Sequence, residues 1–214
     1  SDWDNLNLLG ISADLDDRIL VYFDENGYSL STQEFGGSTL VNSPDADYWW
    51  SIGNIAIDSR NERLAVIYQE GRIELRAFET FTIGVIGIVG LPLKWGAKGD
   101  LEQVHAALFD RTGEWLAIVI GDQLSIWDVG GWFKRVAYRE DVGVIHGIKF
   151  SPSGKFLFLG VDDKIKIINL DRGKQAAELE APNITSLDIS EDNRLLFWSD
   201  ENGVIHLWAF PQTQ

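Results

Sequence analysis

The stretch "LDISEDNRLLFWSDENGVIHLW", residues 187–208, matches residues 11–32, "ISADLDDRILVYFDENGYSLST", without a gap. The tetrapeptide DENG occurs in both stretches, and Arg18 aligns with Arg194. Self-similarity of this kind is the sequence signature of a repeat architecture. We therefore expect the same structural unit near both ends of the chain.

Three further copies of this unit lie between the first two, at residues 55–78, 106–129 and 147–170. The residues that end the first strand of each copy are Ala13, Ile57, Phe109, Phe150 and Ile189. The spacings between these five positions are 44, 52, 41 and 39 residues. The chain is therefore expected to contain five copies of one unit.

Each copy has the pattern of short β-strands. A first strand ends in Ser or Asp, a nearly continuous apolar strand follows, as at 155–161, and a third strand alternates, as at 164–170. A fourth strand lies between copies, at 135–140 and 175–180. Four-stranded sheets that repeat at this period predict an all-β fold, a β-propeller of about five blades, as a single domain over 1–214.

Two segments resemble the WD-repeat family, namely "FSPSGKFLFLGVDDKIKIINL" (150–170) and "LSIWDV" (124–129), which contains the signature dipeptide Trp127–Asp128. The position of the family's Trp is occupied in the five copies by Thr32, Arg76, Trp127, Ile168 and Trp208. The His of the family's hydrogen-bonded tetrad is missing from copies two to five. We therefore expect apolar packing, more than that tetrad, to hold the blades together.

The same resemblance implies that an N-terminal segment supplies the outer strand of the last blade. Only "SDWD" (1–4) occupies that place here. The last blade is therefore expected to lack its outer strand and to leave unpaired backbone groups at its edge. Residues upstream in a longer protein, or another chain, would cover the edge, and we favour the upstream residues.

Composition narrows the class of partner. The 214 residues have a net charge of −15, which disfavours binding to nucleic acid or to an anionic membrane surface. The chain has no cysteine, which excludes disulfides and thiolate chemistry and is compatible with the cytoplasm, where we expect the protein. The most apolar run, 81–93, is too short and too rich in glycine to span a membrane.

No catalytic residue, cofactor or metal is expected. His105, His146 and His206 lie in three different copies, without the spacing of metal ligands. The sequence "GKF" at 154–156 lacks the rest of a phosphate-binding loop, and no nucleophile elbow occurs. The acidic run at 13–17 lacks the remainder of a calcium-binding loop.

Acidic residues are concentrated in the predicted turns at one end of the blades, the end where the second strand turns into the third. We call this end the top. With two neighbouring tryptophans, the residues predicted to bind a partner there are Asp24, Glu25, Trp49, Trp50, Glu70, Asp122, Asp162, Asp163, Asp200 and Glu201. Such a field would steer cationic partners to the top. The alternative is that acidic turns serve only solubility.

A second candidate contact lies at 78–96, where the spacing between copies is largest and the predicted outer strand is apolar. Ile86, Ile88 and Trp95 are the residues predicted to make it. Exposed apolar area usually marks a contact site. The alternative is that the extra residues of this copy fold back over the strand.

We therefore predict a non-catalytic recognition or scaffold module, a docking or sensor domain of a larger signalling protein. Its partner would be a protein or peptide that is cationic at the contact. The first alternative is a five-bladed carbohydrate-binding propeller, although the copies repeat no aromatic-plus-amide arrangement. The second is an enzyme, although no cluster of catalytic groups is recognisable.

Overall fold

All of the regular structure in the described residues is β-strand. The computed structural model describes residues 10–13, 19–24, 27–32, 38–41, 52–58, 60–68, 72–79, 82–90, 104–130 and 135–210. The chain divides into two compact units, Ser1–Leu108 and Phe109–Gln214, and the division falls within one strand. The prediction of a single domain stays a prediction.

The first unit contains two antiparallel four-stranded sheets, in each of which the strands follow the order of the chain. The strands of the first sheet are β1 (Gly10–Ala13), β2 (Ile19–Asp24), β3 (Gly27–Thr32) and β4 (Ser38–Val41). The strands of the second are β5 (Ile52–Asp58), β6 (Arg63–Tyr68), β7 (Arg72–Glu79) and β8 (Thr82–Gly90).

The remaining strands form three sheets, again in chain order. The first contains β9 (Val104–Phe109), β10 (Trp115–Ile120), β11 (Gln123–Asp128) and β12 (Arg135–Asp141). The second contains β13 (Ile145–Phe150), β14 (Phe156–Val161), β15 (Lys164–Asn169) and β16 (Lys174–Glu180). The third has three strands, β17 (Ile184–Ile189), β18 (Leu195–Asp200) and β19 (Ile205–Ala209). The described residues thus form five sheets, one for each predicted copy.

The first strands end where the repeat predicted, with one exception. Four of them end at Ala13, Phe109, Phe150 and Ile189, whereas that of the second copy continues by one residue to Asp58. The predicted fourth strands at 135–140 and 175–180 are present as β12 and β16. In the described residues, the last sheet has no fourth strand.

In the last three copies, the Ser or Asp after the first strand closes the turn that follows it. Asp110 Oδ1 accepts a hydrogen bond from Trp115 N at 2.7 Å, and Ser151 Oγ accepts one from Phe156 N at 3.0 Å. Ser190 Oγ accepts one from Leu195 N at 2.9 Å. A short polar side chain at this position supplies an acceptor for a backbone N–H of the turn.

The core is built from the second strands and from sheet-on-sheet packing. Residues 64–68, 116–120 and 157–161 are buried throughout. In the second unit, Phe158, Ile165 and Ile167 pack against Ile184, Leu187 and Leu196 of the last sheet. A Cβ atom added at Gly160 would lie 2.9 Å from Ile184 Cδ1, so this glycine permits the close approach of the two sheets.

The position of the family's Trp is buried in the second, third and fourth copies, at Arg76, Trp127 and Ile168, and partly buried in the last, at Trp208. Trp127 is buried, and its Nε1 donates a hydrogen bond to Ser125 Oγ at 3.1 Å. In the second copy Arg76 is buried instead, and it forms an ion pair with Glu74, which also accepts a hydrogen bond from the Tyr68 hydroxyl at 3.1 Å. At the same position, the second copy therefore buries an arginine paired with a glutamate, whereas the third buries a tryptophan.

Candidate recognition surface

Three turns of the second unit lie at one end of its sheets, and two of them are tied to the connection that leads to the next sheet. In the first sheet, Val142 N donates a hydrogen bond to Asp122 O at 2.7 Å. In the second, Ala181 N donates one to Asp163 O at 2.7 Å. Because both bonds join backbone atoms, they hold the two turns in place independently of the turn side chains.

Further contacts join the turns of neighbouring sheets. Asn183 N donates a hydrogen bond to Asp163 Oδ1 at 2.7 Å, and Asn183 O accepts one from Glu201 N at 3.0 Å. A Cβ atom added at Gly143 would lie 2.9 Å from Asp162 Oδ2, so that carboxylate sits against the connection before β13. We call the exposed carboxylates of this row, Asp122, Asp162, Asp163 and Glu201, the acidic rim.

Asp200 was predicted to belong to the same surface, but its carboxylate is engaged within its own turn. Its side chain is only 11% exposed, and its Oδ1 accepts hydrogen bonds from Asn202 N at 2.9 Å and Val204 N at 3.0 Å. Its Oδ2 lies 2.9 Å from His206 Nε2. The hydrogen bond with His206, followed by that from Val204 N, holds the pKa of Asp200 below its ordinary value of 3.8.

The cation nearest to the rim in sequence is engaged elsewhere. Lys164 Nζ lies 2.6 Å from Glu178 Oε1 and 4.0 Å from Glu180 Oε1, both on β16. The hydrogen bond with Glu178 raises the pKa of Lys164. In the described part of the chain, no cation forms an ion pair with a carboxylate of the rim.

The opposite end of these sheets carries both signs of charge. Arg111 pairs with Glu191 at 3.1 Å, and Arg194 pairs with Asp192 at 3.6 Å. Lys155, Glu114, Asp171 and Arg172 are also exposed there. Because positive and negative side chains alternate at this end, its field is weaker than that of the acidic rim.

Comparison with solved structures identifies the fold. A chain in the crystal structure of the mitotic checkpoint complex matches with a TM-score of 0.72 at 15% identity, over 95% of this chain and 63% of that chain. The β-propeller domain of Cps50 (Swd1) from Myceliophteria thermophila matches with a TM-score of 0.65 at 14% identity, over 98% of this chain and 69% of that one. The fold is that of a β-propeller. This confirms the predicted all-β propeller and agrees with the WD-repeat resemblance of its sequence.

The propeller is not matched at the level of sequence. No protein-family model matches it, and no curated protein sequence is similar to it. It spans 63% of the chain in the mitotic checkpoint complex to which it is similar.

Apolar side chains also reach the surface at the rim end of the propeller. Val144 is 65% exposed, and its carbonyl accepts a hydrogen bond from Asp162 N at 3.1 Å. Val204, which directly precedes β19, is about half exposed. The exposed Val144 therefore lies next to Asp162, whose carboxylate belongs to the acidic rim.

The remaining predicted residues belong to the first unit. Asp24 is the last residue of β2, and Ile88 of β8 pairs with Glu74. Ile86 lies at a β-bulge, because Gly87 pairs with Leu75 and Val85 with Arg76. The fourth strand therefore carries an extra residue at this point. Glu25, Trp49, Trp50, Glu70 and Trp95 lie outside the described residues.

The sequence reading missed the exposed aliphatic face of the last blade. Ile205 is 74% exposed and Leu207 is 57% exposed. Their equivalents in β15, Ile165 and Ile167, are buried by the last blade. The signal that could have shown this face is the pair of aliphatic residues at alternate positions of "VIHLWAF", 204–210.

Two further observations concern other classes of function. Among the described residues, no helix has the length and apolar character needed to cross a membrane. The same residues contain no cluster of three or more His, Cys, Asp or Glu side chains that could hold a metal ion.

Proposed function

We propose that this propeller is a non-catalytic recognition module that binds a protein or peptide, cationic at the contact, through the acidic rim. The observation that carries the proposal is the row of four exposed carboxylates, held in place by backbone hydrogen bonds and without paired cations in the described residues. The role of docking domain in a larger signalling protein is part of the same proposal.

The geometry favours steering of a partner by charge. The rim carboxylates project from turns that are anchored on both sides, so little ordering is needed when a partner binds. Complementary charge raises the rate of association more than it lowers the rate of dissociation. Val144, next to Asp162 N, offers an apolar contact beside the charges.

Protein or peptide is favoured over carbohydrate and over a substrate of catalysis. One of the similar structures is that of the mitotic checkpoint complex, and this similarity supports a protein as the partner of this chain. A carbohydrate-binding propeller would repeat a pocket in each blade. The three described rim turns share a carboxylate but no aromatic residue.

Selection from a library of short random peptides tests the proposal. We expect the enriched peptides to be cationic. Asp122→Lys with Glu201→Lys should weaken their binding. Both side chains are exposed and form no hydrogen bond among the described residues, so the change should leave the fold intact. Substitution at Asp162 is avoided because its φ of 50° is left-handed, and at Asp163 and Asp200 because their carboxylates hold turns.

The matched control is Glu114→Lys with Asp171→Lys, which changes the net charge equally at the opposite end. These variants should bind the selected peptides like the unmodified chain. Equal loss in both pairs would show that only net charge matters and would contradict a rim site. Loss with Ile86→Glu and Ile88→Glu, and none with the rim pair, would place the contact at β8 instead.

A further inference from the structure

Asn202 precedes a glycine in the exposed turn between β18 and β19. Asn202 and Gly203 are both exposed, and the Asn202 carboxamide forms no hydrogen bond with a described residue. A Cβ atom added at Gly203 would have no heavy atom within 4 Å. The Asn202–Gly203 peptide unit is therefore open to solvent.

The other described asparagines lack this combination. The carboxamides of four of them form hydrogen bonds, namely those of Asn54, Asn61, Asn169 and Asn193. Asn183 is exposed, but the residue that follows it is Ile184, which is β-branched and buried. Among the asparagines that the structure describes, Asn202 alone has both a free carboxamide and a following glycine.

An asparagine in this setting can react with its own backbone. The Gly203 nitrogen attacks Cγ of Asn202 and closes a five-membered succinimide, while the Cγ–Nδ2 bond breaks and ammonia leaves with the proton of the Gly203 N–H. Water then opens either carbonyl of the ring and gives aspartate or, with the chain running through Cβ, isoaspartate. Both products carry a carboxylate, and the reaction consumes only water. A side chain after the asparagine would crowd the attacking nitrogen, and glycine has none.

The turn must open before this reaction, because its backbone groups are hydrogen-bonded. Gly203 N donates to Asp200 O at 2.9 Å, and Asn202 N and Val204 N both donate to Asp200 Oδ1. These bonds lie within one exposed turn, and such turns open locally at a much lower free energy than the sheets that carry them. We therefore expect the folded chain to react more slowly than a short peptide of the same sequence, without global unfolding.

We propose that Asn202 is a site of spontaneous deamidation, which adds a fifth carboxylate to the acidic rim. The new carboxylate lies beside Glu201, in the same turn, and adds one negative charge to a net charge of −15. A stronger negative field at this end speeds the encounter with a cationic peptide. That effect on binding rests on the proposed function, whereas the deamidation itself does not.

Mass spectrometry of tryptic peptides from the folded chain, aged at mildly alkaline pH, tests the site. The peptide that contains Asn202 should gain about 1 Da with time, because an NH2 group is replaced by OH, and should separate into aspartate and isoaspartate forms. The peptide that contains Asn183 and Asn193 is the control in the same sample and should keep its mass. Asn202→Gln, which would have to close a six-membered ring, should also prevent the gain.

Asn202 that stays intact while a synthetic peptide of residues 199–205 is fully converted overturns the site, and so does equal conversion at Asn193. Asn202→Asp reproduces one product and should associate faster with the selected cationic peptide at low salt. An unchanged rate overturns the effect on the rim if Asp122→Lys with Glu201→Lys slows association. If that pair has no effect either, the proposed function fails, and the gain in mass alone decides the deamidation site.

Discussion

Aspartate serves two purposes in this propeller, and the sequence alone does not separate them. Asp110 and Asp200 accept backbone hydrogen bonds inside turns, whereas Asp122 is exposed at the rim. All three lie at strand ends, where the sequence predicts a polar turn. The sequence shows the residue type but not which N–H groups a folded turn leaves without an acceptor. Asp200 was therefore assigned to the surface, although it holds its own turn.

The lowered pKa of Asp200 predicts a stability contribution that depends on pH. The folded state favours the ionised carboxylate, so the contribution is present above pH 3.8 and is lost as the pH falls through the lower folded pKa. Asp200→Asn should therefore be less stable than the unmodified chain near neutral pH, and the gap should close in acid. Urea unfolding from neutral pH into acid measures it, and a constant gap would contradict the assignment.

In the second unit, tryptophan occupies the position of the family's Trp at Trp127 and Trp208. Only Trp127 is buried, and its indole N–H donates a hydrogen bond to Ser125 Oγ. Trp127→Ala should lower the free energy of unfolding by about 3–5 kcal/mol, the usual cost of truncating a buried large aromatic side chain. Urea unfolding followed by circular dichroism measures the loss. A loss below about 1 kcal/mol would mean that the side chain is not part of the packed core.

At the scale of elements, the sequence predicted the strands but not their bulges. The third and fourth strands shift register between Leu75 and Arg76, between Ile126 and Trp127, and between Ile167 and Ile168. In these three copies, the second residue of each pair occupies the position of the family's Trp. The extra residue lies in the fourth strand, whose sequence differs between copies, so no pattern marked it. Bulges increase the local twist of a sheet, and here they repeat with the blades.

Amide exchange within β19 tests the open edge at the scale of one strand. At high dilution and low salt, the amides of Ile205, Leu207 and Ala209 should exchange fast. Those of His206 and Trp208 should exchange slowly, because they point to β18. The amides of β14, which is paired on both sides, should all be slow. Equal protection along β19 would contradict an open edge.

At the scale of the molecule, five copies of one pattern were enough to predict the propeller, because each copy repeats the same order of strands around a six-residue second strand. The row of rim turns was also predictable, since strand order alone sends Asp122, Asp162 and Glu201 to one end. The cover of the last edge was not, because no described strand pairs with the free side of β19. The proposed ligand of the rim is likewise defined only by a charge that we expect to be the complement of the rim's.

The most direct test of the rim as a recognition surface is the rate of association with a selected cationic peptide, measured by stopped flow as a function of ionic strength. The unmodified chain should associate fastest at low salt and slow steeply as salt is added. Asp122→Lys with Glu201→Lys should associate more slowly and with a flatter salt dependence, because exposed charges around a site act mainly on the association rate. The Glu114→Lys, Asp171→Lys pair should retain the steep dependence. Equal flattening in both pairs, or in neither, would contradict a binding site at the acidic rim.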